Sequence, residues 1–135
     1  MFFFFLGAPD RFDSPSLERF AQALETTQFN YPGMTLAMLT TLLAVARAPT
    51  GAGDFVSVSD IADRSSMLKY PTIARQLDLL GDGNVTRPGL GLVDKQTDPL
   101  DRRLRYVALS SRGRELLYEL DRALNPSSES RGITQ

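Results

Sequence analysis

Two short amphipathic stretches are followed at once by two strand-like segments, and this order constrains the fold more than any single motif. Ser57, with Asp60 three positions on, reads as a capping-box variant that opens a helix carrying Val58, Ile61 and Ala62 and ending near Ser65. Pro71 opens the second helix, with Ile73, Leu77 and Leu80 on one face and a stop at Gly81-Asp82-Gly83. A helix pair of this kind is a helix-turn-helix candidate, but any helical hairpin looks similar. Beyond it, Gly83 to Gly91 has loop composition. Leu92-Val93-Asp94-Lys95-Gln96 and Leu104-Arg105-Tyr106-Val107-Ala108-Leu109 then read as two strands. Thr97-Asp98-Pro99-Leu100-Asp101 supplies the turn between them. A hairpin directly after a candidate recognition helix is the winged-helix order.

The flanking segments fit one compact domain. Ser14-Pro15 is a cap followed by a proline at the first helical position, and Leu17, Phe20, Ala21 and Leu24 form one apolar face of a helix from Pro15 to about Thr26. Gln28 to Gly33 is a linker. Thr35 caps a helix to about Arg47 that is apolar nearly all round, which predicts a buried central helix stopped at Ala48-Pro49-Thr50-Gly51. Ser110 caps a last helix with the stripe Leu116, Leu117, Leu120 and Leu124, ended by Asn125-Pro126. The expected fold class is mainly α with a small antiparallel β wing, a winged helix-turn-helix. Residues 1–33 are expected to form an N-terminal arm and helix for dimerisation, residues 34–124 the DNA-binding domain, and residues 125–135 a disordered polar tail.

The sequence from Asp98 to Gly113 resembles the wing of the MarR family of bacterial regulators, which carries Asp-x-Arg followed by Leu-Thr-x-x-Gly. Asp101, Arg103, Leu109, Ser110 and Gly113 hold those places, with serine in place of threonine. Ser57 to Ala62 is similar to the family's first motif helix and Pro71 to Leu77 to its recognition helix, so that the likeness covers roughly Met34 to Leu120. It implies a dimeric, sequence-specific double-stranded DNA-binding transcriptional regulator that acts as a repressor. It also implies that an unidentified small-molecule effector can bind between dimer helices and motif. Three features depart from the family pattern. The loop from Asp82 to Gly91 is longer, the C-terminal helix is shorter, and Ser65 stands where a leucine usually closes the first motif helix. Met67 is expected to fill that leucine's volume.

Chemistry can be assigned on this frame. With Ile73, Leu77 and Leu80 facing inward, the opposite face of the recognition helix carries Thr72, Arg75, Gln76 and Leu79. Arginine can pair with guanine O6 and N7, and glutamine with adenine N6 and N7. Lys69, Tyr70 and the free amides at the helix start suit phosphate contacts. Arg102 and Arg103 stand at the hairpin turn, placed for the negative potential of a minor groove. Asp101 would repel phosphate, so its expected part is to orient a neighbouring arginine. Phe2, Phe3, Phe4 and Phe5 cannot all face one side. Together with Leu17, Phe20 and Leu24 they are expected to dimerise two subunits.

Other function classes find little support. The chain has no histidine and no cysteine, which removes the commonest general base and metal ligands, and no cofactor or enzymatic activity is expected. Net charge is −1, so modest non-specific affinity and a dependence on geometry and base readout are expected. Phe2 to Leu6 is too short to span a bilayer and lacks a basic leader, so a cytoplasmic location without membrane contact is expected. The competing reading is a winged helix that docks on a transcription or replication complex without binding an operator.

Overall fold

The computed structural model describes residues 13–49 and 55–126. The phenylalanine run and the polar tail beyond Pro126 lie outside the described residues. The elements in chain order are α1 (Pro15–Asn30), α2 (Leu36–Arg47), β1 (Val56–Ser57), α3 (Val58–Arg64), α4 (Tyr70–Leu80), β2 (Val93–Thr97), β3 (Arg105–Leu109) and α5 (Ser111–Leu124). This is the expected winged helix: helices around a small antiparallel sheet.

Local chemistry starts four of the five helices where the sequence predicts. Ser14, Thr35, Ser57 and Ser110 accept hydrogen bonds from the amides of Leu17, Met38, Asp60 and Gly113, each satisfying an otherwise unpaired donor of a first turn. Helix ends depend more on what packs around them. α1 runs past Thr26 to Asn30 because Thr27 is buried and returns its hydroxyl to the Ala23 carbonyl at 2.9 Å. α1 lies along α5, and α2 packs against α4 and β3.

α2 is not buried all round. Met38, Leu39, Leu42 and Val45 enter the core, whereas Leu36 is 77% exposed and Leu43 40% exposed. Its neighbours cover one side of the helix and leave the other to solvent.

The sheet also differs from the expected two-stranded hairpin. Its order is β1-β3-β2, all antiparallel, with Val56 opposite Val107 and Ser57 opposite Tyr106. β2 and β3 pair from Val93 opposite Leu109 to Thr97 opposite Arg105. A strand as short as β1 has no periodicity of its own; pairing with β3 creates it. The core between sheet and helices is closed by Leu42, Ile61, Ile73, Leu77, Leu80, Leu92 and Val107, all essentially inaccessible. Burying each such side chain stabilises the fold by ~1.5–3 kcal/mol.

The junction between sheet and α5 accounts physically for the Leu-Ser-x-x-Gly stretch. The Ser110 hydroxyl accepts from Gly113 N at 3.1 Å and donates to the Gly91 carbonyl at 2.7 Å, while Ser110 N donates to the Leu92 carbonyl at 3.0 Å. A Cβ on Gly113 would collide with the Leu92 carbonyl oxygen, so only glycine permits this approach.

The loop from Asp82 to Gly91 is a small folded turn. Gly83, at φ +89°, bridges to Pro88, and Asn84 Oδ1 accepts from the amides of Thr86 and Arg87 at 2.9 and 3.0 Å.

Candidate nucleic-acid interface

The candidate recognition helix, α4, is set up by the turn that precedes it. Ser65 Oγ accepts from Leu68 N at 2.8 Å and Met67 N at 3.3 Å, which bends the chain sharply between α3 and α4. Leu68 is half-buried against the core, while Met67 is 86% exposed. Met67 therefore does not fill the volume expected of it, because the serine turn aims Leu68 toward the core and Met67 outward. Lys69 follows as an exposed N-cap without a side-chain cap bond.

α4 buries Ile73, Leu77 and Leu80 as its spacing predicts. Leu79 is buried as well, at 8% exposure, and does not belong to the outer face. The segment after the loop folds back there, with Leu90 N donating to the Leu79 carbonyl at 3.1 Å. Thr72 and Arg75 are exposed. Tyr70 is half-buried and packs on the core.

Gln76 is half-buried, and its Oε1 is sealed from solvent with no hydrogen-bond donor. In this rotamer the amide is not presented as the two-pronged fork that adenine requires. Arg75 and Thr72, flanked by Lys69, are the polar groups that the helix offers outward.

The wing tip is closed by its own backbone and two aspartates. Asp98 N donates to the Leu104 carbonyl at 3.0 Å, Leu104 N to the Asp101 carbonyl at 2.9 Å, and Leu100 N to Asp98 Oδ1 at 2.8 Å. Asp101 receives Arg103 in a bidentate grip: Nε to Oδ1 at 3.1 Å and an η-nitrogen to Oδ2 at 3.2 Å, with the Arg103 amide on Oδ1 at 3.0 Å. The Arg103 side-chain hydrogen bonds, then its amide, hold the Asp101 carboxyl below its ordinary value of 3.8. Although so held, the Arg103 side chain is 90% exposed, and Arg102 beside it is exposed too. The hairpin thus presents two cations, one of them fixed in orientation.

Helix and wing face each other across a cleft of about 460 Å³ whose walls include Ala74 and Leu77 on one side and Arg102 and Arg105 on the other. Lys95 on β2 pairs with Asp78 on α4. The site residues missed by sequence reasoning are Asp78, Lys95 and Arg105. Arg105 could have been found from its place at the start of the second strand. The pair had no local signal, because its members are 17 positions apart.

Of the dimerisation residues, Leu17 and Phe20 are 52% and 50% exposed on α1, while Leu24 is half-buried against the core. Phe2 to Phe5 lie outside the described residues. Among the described residues no cluster of side chains suited to a metal ion occurs, and no helix is long and apolar enough to cross a membrane.

The sequence matches no protein-family model and no curated protein. Its structure is similar to solved ones. RV1404 from Mycobacterium tuberculosis aligns with a TM-score of 0.59 at 18% identity, over 96% of this chain and 84% of that one. BpsR of Bordetella bronchiseptica, whose DNA binding is regulated by 6-hydroxynicotinic acid, aligns with a TM-score of 0.52 at 20% identity, over 84% of this chain and 78% of that one. A mutant MarR from E. coli complexed with operator DNA aligns with a TM-score of 0.51 at 15% identity, over 87% of this chain and 79% of that one. With α4 set after a tight serine turn, its arginine-tipped wing and the Ser110–Gly113 clamp, the chain has the fold of the MarR-type winged-helix regulators.

Proposed function

We propose that the protein is a sequence-specific double-stranded DNA-binding transcriptional regulator that acts as a homodimeric repressor. The observation that carries this reading is a pair of exposed polar elements on either side of one cleft: α4, which walls the cleft with Ala74 and Leu77, carries Thr72 and Arg75 exposed, and the hairpin across it carries Arg102 and an exposed, Asp101-held Arg103. In the major groove Arg75 takes a guanine edge and Thr72 a neighbouring base, with Lys69 on phosphate. The wing arginines enter the adjacent minor groove, where negative potential favours a guanidinium. Asp101 fixes Arg103 before binding, so less orientation is lost when DNA arrives.

Support also comes from neighbours of the same fold: one is complexed with operator DNA, and another's DNA binding is regulated by a small aromatic acid. By analogy we assign this chain a small-molecule effector of unspecified identity. No catalytic role is proposed. Fluorescence anisotropy of the full chain on DNA flanking its own gene, titrated over salt, tests the reading. A steep salt dependence with preference for one sequence is expected. Absence of DNA affinity at low salt would make the fold a protein-docking module instead.

A further inference from the structure

Reading helix and wing diverge from a shared root. At the C-terminal end of α4 they are bound together: Leu90, Gly91 and Leu92 donate their amides to the Leu79, Gly81 and Leu80 carbonyls at 3.1, 3.0 and 2.7 Å. Gly81 lies so close to β2 that a Cβ there would stand 3.3 Å from Val93. Outward from this root the two separate, and the cleft opens between Ala74 and Leu77 on one wall and Thr97, Arg102 and Arg105 on the other. Close packing would fix their angle; a cleft does not.

Among the described residues, the one side-chain hydrogen bond or ion pair that joins α4 to the hairpin is Lys95 Nζ to Asp78 Oδ1. Asp78 stands about one helical turn from Gly81, and Lys95 faces the same way along β2 as Val93. The pair therefore spans the angle just outside its apex. We infer that Asp78 and Lys95 form a strut that sets the angle between reading helix and wing, and so the span between Arg75 in one groove and Arg103 in the next. Its consequence for DNA rests on the proposed function; its geometry does not.

The pair is half-exposed, with side chains 32% and 40% accessible, so it adds little to stability and is weakened by salt. Its effect belongs in orientation rather than in melting temperature. These are positioning residues, and neither is assigned a base or phosphate contact.

The test uses the absence of native cysteine, which lets spin labels be placed on Thr72→Cys and Leu100→Cys of the full chain. Pulsed EPR should give a narrow helix-to-wing distance distribution in the parent. Asp78→Asn and Lys95→Gln should each broaden it, and the exchanged pair Asp78→Lys with Lys95→Asp should narrow it again, while circular dichroism stays unchanged. In the unlabelled protein, Asp78→Asn should weaken DNA binding about threefold and reduce the further loss on Arg103→Ala, since a wing already mispositioned has less to lose. Should Asp78→Asn fail to fold, Lys95→Gln carries the same comparison. Unchanged distances in both single variants overturn the strut even if DNA binds normally. Strut-dependent distances in a protein without DNA affinity overturn the proposed function instead and leave the strut standing.

Discussion

At the scale of single residues, Asp101 and Arg103 show how an acid can serve the interface proposed here for a polyanion. Asp101 lies below its ordinary value because the ionised carboxylate accepts from Arg103. A depressed acid contributes order above its unfolded value and loses it as pH falls through the folded value. The Arg103 Nε–H resonance should therefore keep its bonded position to a lower pH than an unpaired aspartate would allow, and collapse only as Asp101 protonates. Asp101→Ala should weaken DNA binding although it removes a repulsive charge, because Arg103 is then unheld; tighter binding would exclude the orienting role. Arg75→Ala should cost ~1–3 kcal/mol on a preferred site and relax the base preference there. Gln76 separates two effects. Its Oε1 is buried without a donor, so Gln76→Leu should raise stability by ~1 kcal/mol in a denaturant titration. A loss of stability would mean that the amide has a partner. Arg75 was legible in the sequence from the phase of the helix alone. The position of the Gln76 amide was not, since half-burial depends on what packs beside the helix.

At the scale of elements, whatever is local is readable and whatever is tertiary is not. The four caps Ser14, Thr35, Ser57 and Ser110 stand where they are expected, because a hydroxyl and an amide three positions on need no distant partner. β1 was invisible, since Val56 and Ser57 become a strand only opposite Val107 and Tyr106. Leu79 was misplaced for a similar reason: the returning Leu90 segment covers it, and no periodicity announces a loop that folds back. The turn between α3 and α4 shows the same limit, with Leu68 inward and Met67 outward. The clamp between sheet and α5 yields a prediction at this scale. Gly113→Ala forces a methyl against the Leu92 carbonyl and should cost ~1–3 kcal/mol, and Ser110→Ala should cost ~1 kcal/mol through the lost cap. Both follow from urea midpoints at unchanged m-value. If Gly113→Ala is neutral, the close approach is relieved by a backbone shift and glycine is not required there.

At the scale of the whole molecule, a helix as short as α4 would make few base contacts in the proposed complex, and two of them set about one turn of DNA apart, ~34 Å, would supply the missing affinity. The proposed dimer draws on Leu17 and Phe20, half-exposed on α1, and on the phenylalanine run before them. At ~25 cal/mol per Å² these side chains, if buried in the proposed dimer, would supply several kcal/mol before the cost of association is subtracted. Deleting residues 1–12 should give a monomer or a much weaker dimer by analytical ultracentrifugation, with circular dichroism preserved; a truncated protein that stays a tight dimer moves the interface elsewhere. The DNA-binding reading itself is decided by footprinting the full-length protein on the DNA flanking its own gene, beside the Arg75→Ala and Arg102→Ala/Arg103→Ala variants. The expected result is a protected site of two half-sites about one turn apart. Arg75→Ala should blur its sequence preference, and the wing variant should weaken all sequences and lower the salt slope by about one or more. A full-length protein that protects no sequence, or whose protection survives both variants unchanged, would contradict a DNA-reading role for α4 and the wing.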